Sequence, residues 1–266
     1  MGIAKFISSS ILCSLFVLPL YGQQPASTGV EANPGRPTVS TPATLTPVGY
    51  LQFESGVLVA THSTEFSSQL SINEVVKLAV APRLQFIISS EPVARSRAGG
   101  LNGIGAGGGA LGLQGVFLTG KGARPTLAAS YFHEVYAGNV PDLDLGGPNQ
   151  SVVFLASTDV HGFHFDINFL ANEMTQGGVR RAQFGQTLSI AHPLSKRFNL
   201  SAELWGFTQP FINGRCAGSL WAIGYAPRRN LVLDAGFNRG LTSTSTRWEA
   251  FVGFTYLFPH RLWGKA

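Results

Sequence analysis

The chain is poor in charge. Asp, Glu, Lys and Arg make up 12% of its 266 residues, about half of the ~25% usual in soluble globular domains. It has two cysteines, Cys13 and Cys216, too few for a disulfide framework. Beyond the N-terminal stretch it has no apolar run of about 18 residues, which excludes a polytopic helical membrane protein. Lys and Arg are scattered rather than clustered, which excludes a nucleic-acid binder. Disorder is excluded by 19 Phe, 4 Trp and a mean hydropathy of +0.16, enough apolar surface to drive folding. Present in excess are glycine, 32 residues, and a 44% apolar content broken into short pieces. That balance suits alternating strands with one apolar face.

Residues 1–22 read as a secretory signal peptide. Lys5 gives the positive start, residues 11–21 a short apolar stretch, and Gly22 a small residue at the cleavage position. Removal takes Cys13, so Cys216 has no partner for an intramolecular disulfide and hydrogen bonding and packing must hold the fold. Residues 23–47 carry Pro25, Pro34, Pro37, Pro42 and Pro47 among Ser, Thr and Gly. They predict an extended segment, either a linker or a plug threaded into the body.

Residues 48–258 alternate with period two, and residues 259–266 form a tail. In the first strand Leu51, Phe53, Ser55, Val57 and Val59 share one face, Gln52, Glu54 and Gly56 the other. Residues 71–80 set Lys77 between Val76 and Leu78. In residues 163–169, Phe163, Phe165, Ile167 and Phe169 oppose His164, Asp166 and Asn168. Residues 151–158 are more uniformly apolar. We count twelve such segments. Connections near Pro82, Lys121, His161, Ser195 and Arg228 are short, and those after Ala60, Ser89, Tyr136, Glu173, Gln209 and Asn238 are mostly longer. This alternation predicts an all-β fold, a transmembrane antiparallel β-barrel of about twelve strands, with both termini on the periplasmic, short-turn side. A soluble sandwich would carry more Lys and Glu on its polar face, and a small soluble barrel could not enclose so many Phe and Leu. Trp248 near the loop end and Tyr256 and Phe258 near the turn end fit aromatic girdles.

Arg36-Pro37-Thr38-Val39-Ser40-Thr41-Pro42 before Gly49-Tyr50-Leu51-Gln52-Phe53-Glu54-Ser55-Gly56 resembles the start of the exported family labelled phenol-degradation (meta-pathway) proteins. The segment from Val76 to Leu84 and the last strand, Arg247 to Tyr256, are similar to it as well. The resemblance runs from about Arg36 to Phe258. It implies a transporter-like outer-membrane barrel without an established enzymatic site, and its label implies aromatic catabolism. Gly253-Phe254-Thr255-Tyr256-Leu257-Phe258 also resembles the terminal-strand signal read by the outer-membrane assembly machinery. Phe251 and the tail after Phe258 depart from that pattern.

Gly103-Ile104-Gly105-Ala106-Gly107-Gly108 matches G-x-G-x-x-G but stands after a loop and before a strand. A phosphate site needs the reverse order, strand then helix, so we read a loop here. His161 and His164 point to opposite faces of a strand, and no metal site, cofactor or catalytic set is assigned. The informative set is the polar face: Glu54, Lys77, Glu134, His164, Asp166, Asn168, Glu203, Asp234, Arg247 and Glu249. Outward charges are costly in a bilayer, so these are expected to line the lumen. Six acids stand against two bases. Either Lys77 and Arg247 brace carboxylates in a filled barrel, or the wall disfavours anions and Asp166, Glu203 and Asp234 ring the lumen. The expected function is an outer-membrane channel or transporter for small solutes, hydrophobic or aromatic ones included. The alternatives are a structural or adhesive barrel with a closed lumen and a membrane-embedded lipid hydrolase using His164. Expected partners are outer-membrane lipid, the assembly machinery through the terminal strand and a small-molecule solute, with no nucleic acid.

Overall fold

A computed structural model describes residues 29–140 and 148–263. The predicted signal peptide lies outside the described residues. The described residues form thirteen strands: β1 (Leu51–Thr61), β2 (Ser68–Ala81), β3 (Leu84–Ala98), β4 (Leu101–Gly105), β5 (Gly109–Leu118), β6 (Thr126–Tyr136), β7 (Gln150–Val160), β8 (Phe163–Gln176), β9 (Val179–Pro193), β10 (Phe198–Thr208), β11 (Arg215–Arg228), β12 (Leu231–Gly240) and β13 (Trp248–Leu257). Every pairing is antiparallel, and β13 closes on β1 with Leu257 opposite Gln52 and Trp248 opposite Thr61. Twelve strands make the closed wall. β4 stands outside the count and pairs only with the far end of β3. Closure leaves no strand edge in the wall, the condition for crossing a membrane with strands.

The alternation sorts the side chains. Gln52, Glu54, Gln69, Gln85, Gln114, Asn168 and Glu203 are buried inside, while Phe86, Leu113, Phe154, Leu204, Trp221 and Val252 are exposed outside. This inverts a soluble barrel, and lipid is the solvent that makes it favourable. Inward aromatics lie flat over glycines: the Trp205 ring covers Gly218 and the Phe207 ring covers Gly185.

Two connections differ from expectation. The one between β8 and β9, on the long-loop end, is only Gly177-Gly178. Both glycines have positive φ, 57° and 79°, as a tight hairpin turn requires, so these two strands run further out than their neighbours. The G-x-G-x-x-G stretch is a hairpin excursion through β4, with Gly107 pressed against Glu91, and a strand follows it. β3 carries an irregularity between the Ile72 and Glu74 pairings, which accommodates Pro92.

Candidate functional site: the lumen and the segment threaded through it

Residues 29–49 run inside the barrel. They meet the turn end at Arg229, whose carbonyl accepts from the Ala32 amide at 2.9 Å, and they leave where the Gly49 amide donates to Ala79 at 2.8 Å. Between these points the segment follows the inner wall. An extended strip with prolines cannot satisfy its own backbone, so wall side chains do it. Asn33 exchanges bonds with Gln52, at 2.8 and 2.7 Å. The Gly35 amide donates to both Glu54 oxygens. Glu203 accepts from the Val39 and Ser40 amides, both at 2.7 Å, and from Ser40 Oγ at 2.6 Å. Asn168 accepts from the Thr41 amide at 2.6 Å and donates to the Thr41 carbonyl at 3.0 Å. The Ala43 amide donates to Ser157, which donates to Asp166. Gln114 donates to the Pro42 carbonyl, and Gln85 accepts from Thr46. Every one of these wall residues lies within six positions of the turn end of its strand. The segment is therefore a band around the turn-end half of the lumen.

Two ion pairs lie in the band, one between wall strands and one between the wall and the segment. Lys77 Nζ lies 2.6 Å from Glu54 Oε1, with both side chains almost wholly buried. Arg36 Nη2 lies 3.2 Å from Asp234 Oδ1. The Arg36 guanidinium sits over Gly56 and Gly253, which face each other across β1 and β13. A Cβ at either glycine would occupy the guanidinium's place. Apolar contacts complete the docking. Ala43 packs on Val116, Ala128, Val153 and Leu155, and Val39 on Trp205 and Phe207. The uniformly apolar character of β7 has its reason here: Val153 and Leu155 face inward to meet the segment.

Glu54, Lys77, Asp166, Asn168, Glu203 and Asp234 are buried in this band. His164 lies at the turn-end rim, its Nδ1 2.7 Å from Asp159 and its Nε2 3.3 Å from Asp166. Glu134 and Glu249 face inward toward the loop end, and Glu134 accepts from the Asn149 side-chain Nδ2 at 2.8 Å. Arg247 is a correction. It sits just before β13, exposed at the loop rim, and its amide donates to the His62 carbonyl. The cation that meets Asp234 is Arg36, supplied by the segment. Sequence reasoning missed Arg36, because a proline-rich stretch without periodicity gives no face on which to place a charge. Asp166, Glu203 and Asp234 do not form a bare ring: the segment or its neighbours occupy each of them.

On the loop side of the band a cavity of about 290 Å³ opens between Val39 and Thr41 of the segment and the wall, with Phe132, Glu134, Ser151 and Leu170 among its lining. It combines an apolar side with one carboxylate. Among the described residues no group of three or more His, Cys, Asp or Glu is placed to hold a metal ion.

The sequence matches no protein-family model and no curated protein. Among solved structures the chain is similar to the COG4313 outer membrane channel from Pseudomonas putida F1. The TM-score is 0.60 at 14% identity, over 81% of this chain and 98% of that one. It is also similar to the NanC porin, with a TM-score of 0.55 at 7% identity, over 77% and 98% of the two chains. The fold is that of an outer-membrane β-barrel. At these identities the likeness speaks for the fold alone, and the phenol-degradation label finds no sequence-family match behind it.

Proposed function

We propose that this barrel is a channel of a Gram-negative outer membrane that passes small solutes through a lumen narrowed by its own N-terminal segment. The observation that carries the reading is the band itself. A wall this polar, with an extended segment laid along it rather than an apolar core across it, leaves a water-compatible path. The similarity to a channel and a porin supports it. Residues 1–22 act as the export signal, residues 23–47 as the luminal segment and its leader, residues 48–258 as the barrel and residues 259–266 as its tail. Assembly proceeds through the terminal strand.

Lys77 and Arg36 neutralise Glu54 and Asp234, so the acids left to bias permeation are Asp166, Glu203, Glu134 and Glu249. Charges in a narrow lumen are weakly screened, and the channel therefore favours cations and neutral solutes over anions. The cavity beside Phe132, Leu170 and Glu134 suits a small solute with an apolar side, aromatic compounds among them. The protein acts without catalysis. A second reading, a structural barrel with a closed lumen, is favoured by one observation: the segment's contacts reach strands around the whole wall. Planar-bilayer recording separates the two. Discrete single-channel conductance that rises when residues 29–46 are deleted supports the channel. Silence in both the intact and the deleted barrel supports the closed one.

A further inference from the structure

Several polar side chains face outward on the wall, His133 and Gln150 among them, and two stand on opposite sides of the barrel where lipid tails favour apolar groups. The first is Glu74 on β2. Lys77 faces inward opposite Gln52, and Glu74, three positions away, faces outward opposite Ser55 on β1 and Ser90 on β3. Along the outer face of β2 it lies between Val76 and Leu78 on one side and Ile72 and Leu70 on the other. Its carboxyl meets no hydrogen bond or ion pair among the described residues. The second is Gln186 on β9. It is exposed between Phe184 and Leu188 and stands opposite Phe169 and Gly206.

Their settings are complementary. Glu74 rises between two small side chains, Ser55 and Ser90, so it stands as a knob with low shoulders. Gln186 lies in a groove of about 500 Å³ on the outer wall, lined by Phe169, Phe184, Gly206, Arg215 and Ala217. Gly206 and Ala217 leave the hollow, and Gln186 and Arg215 supply donors within it. The knob is an acid without a donor, and the groove holds an amide and a guanidinium. They also match in place. Each polar residue lies seven positions from the turn end of its strand, Ala81 for Glu74 and Pro193 for Gln186. At a rise of ~3.4 Å per residue and a tilt of ~40°, both lie about 18 Å above the turn end. In the closed order of the wall β2 and β9 are six strands apart out of twelve, which puts them on opposite sides of the barrel.

We propose that the barrels associate head to tail in the membrane plane, the Glu74 knob of one copy seated in the Gln186–Arg215 groove of the next. The occupant is a second copy of this chain because both halves of the contact are on it, at one depth and on opposite walls. Lipid tails offer neither a donor to the carboxyl nor an acceptor to the amide, and each group left bare in hydrocarbon is costly. A shift within the membrane plane brings them together while every barrel keeps its orientation. Such a contact does not close on itself, and it propagates in rows. This goes beyond the channel reading and holds whether or not the lumen conducts.

The test is disulfide trapping of the full-length barrel in lipid vesicles, in a Cys216→Ala background. Glu74→Cys and Gln186→Cys are reconstituted separately and as a mixture, with Leu113→Cys as a lipid-facing control for random collision. Heat-dependent gel mobility checks that each variant is folded. The mixture is expected to give cross-linked dimer at several times the control yield, each single variant only the control yield, and the double variant a ladder of higher species. Energy transfer between separately labelled barrels without engineered cross-links is expected to fall for Glu74→Leu and to survive for Glu74→Gln. Control-level cross-linking in the mixture, with lipid filling the groove, overturns the proposal. So does preferential trapping of Glu74→Cys with itself, which would mean a two-fold contact instead.

Discussion

The inner and outer faces of this wall share one backbone and differ in how their polar groups are satisfied. Inside, Glu203 accepts three hydrogen bonds from Val39 and Ser40, and Glu54 is met by Lys77, Gln52 and Gly35. Outside, Phe, Leu, Val and Trp face lipid, and polar residues such as Glu74, His133 and Gln186 have no partner on their own wall among the described residues. The two environments set different penalties. An inward charge needs a partner that the fold can bring to it, and the luminal segment is that partner. An outward charge has only the bilayer or another molecule.

Four experiments sharpen the contrast. The largest effect is expected from Lys77→Met, which strands Glu54 in the most buried ion pair of the lumen. Removing one member of a buried pair costs about 3–5 kcal/mol, and a lowered urea midpoint in vesicles measures it. Lys77→Met with Glu54→Gln should recover most of the loss. A fully additive double variant would mean that the pair is not coupled.

Next comes a matched pair of arginines. Val252 lies mid-strand on the outer face of β13, and Ser151 faces the luminal cavity. Val252→Arg is expected to cost about 2–4 kcal/mol at mid-bilayer, while Ser151→Arg puts its charge into the cavity beside Glu134 and costs clearly less. Folding yields in vesicles check this, and equal yields would contradict the assignment of faces.

Glu203→Ala removes the acceptor for three donors of the segment. Leaving buried donors unmet costs about 1–3 kcal/mol, and because the segment is held locally the wall should survive. Limited proteolysis is expected to cut near Val39 in the variant and not in the wild type. Protection that stays unchanged would show that the apolar contacts of Val39 and Ala43 suffice.

The smallest effect on stability is expected from Glu134→Gln, since its Asn149 contact can persist through the amide. The effect appears in permeation: the reversal potential under a salt gradient should move toward anions, further than in Asp234→Asn, whose charge Arg36 already offsets. A larger shift for Asp234→Asn would place the selecting charge in the band instead.

The alternation of period two was readable in the chain, and with it the strand number of the wall, the two faces and the inward direction of Glu54, Lys77 and Asn168. The parity that turns Lys77 inward also turns Glu74 outward. That signal was present in the sequence, and its meaning appears only once closure shows Ser55 and Ser90 beside it. Other features had no local signature. The Gly177-Gly178 turn reads as a longer loop until the strands on either side are seen to extend. Arg247 shares the parity of the lumen residues yet ends at the rim, because its strand begins one residue later, at Trp248.

By itself the sequence determined the wall, because a strand's faces follow from residue order and burial rewards one face uniformly along its length. Only the tertiary structure decided the path of residues 29–49. A segment with prolines and no periodicity has no preferred face of its own, and its conformation is set by acceptors and donors on strands up to some two hundred positions away, as when Arg36 reaches Asp234 across 198 residues. Those groups become neighbours when the barrel closes, and closure is a property of all twelve strands together.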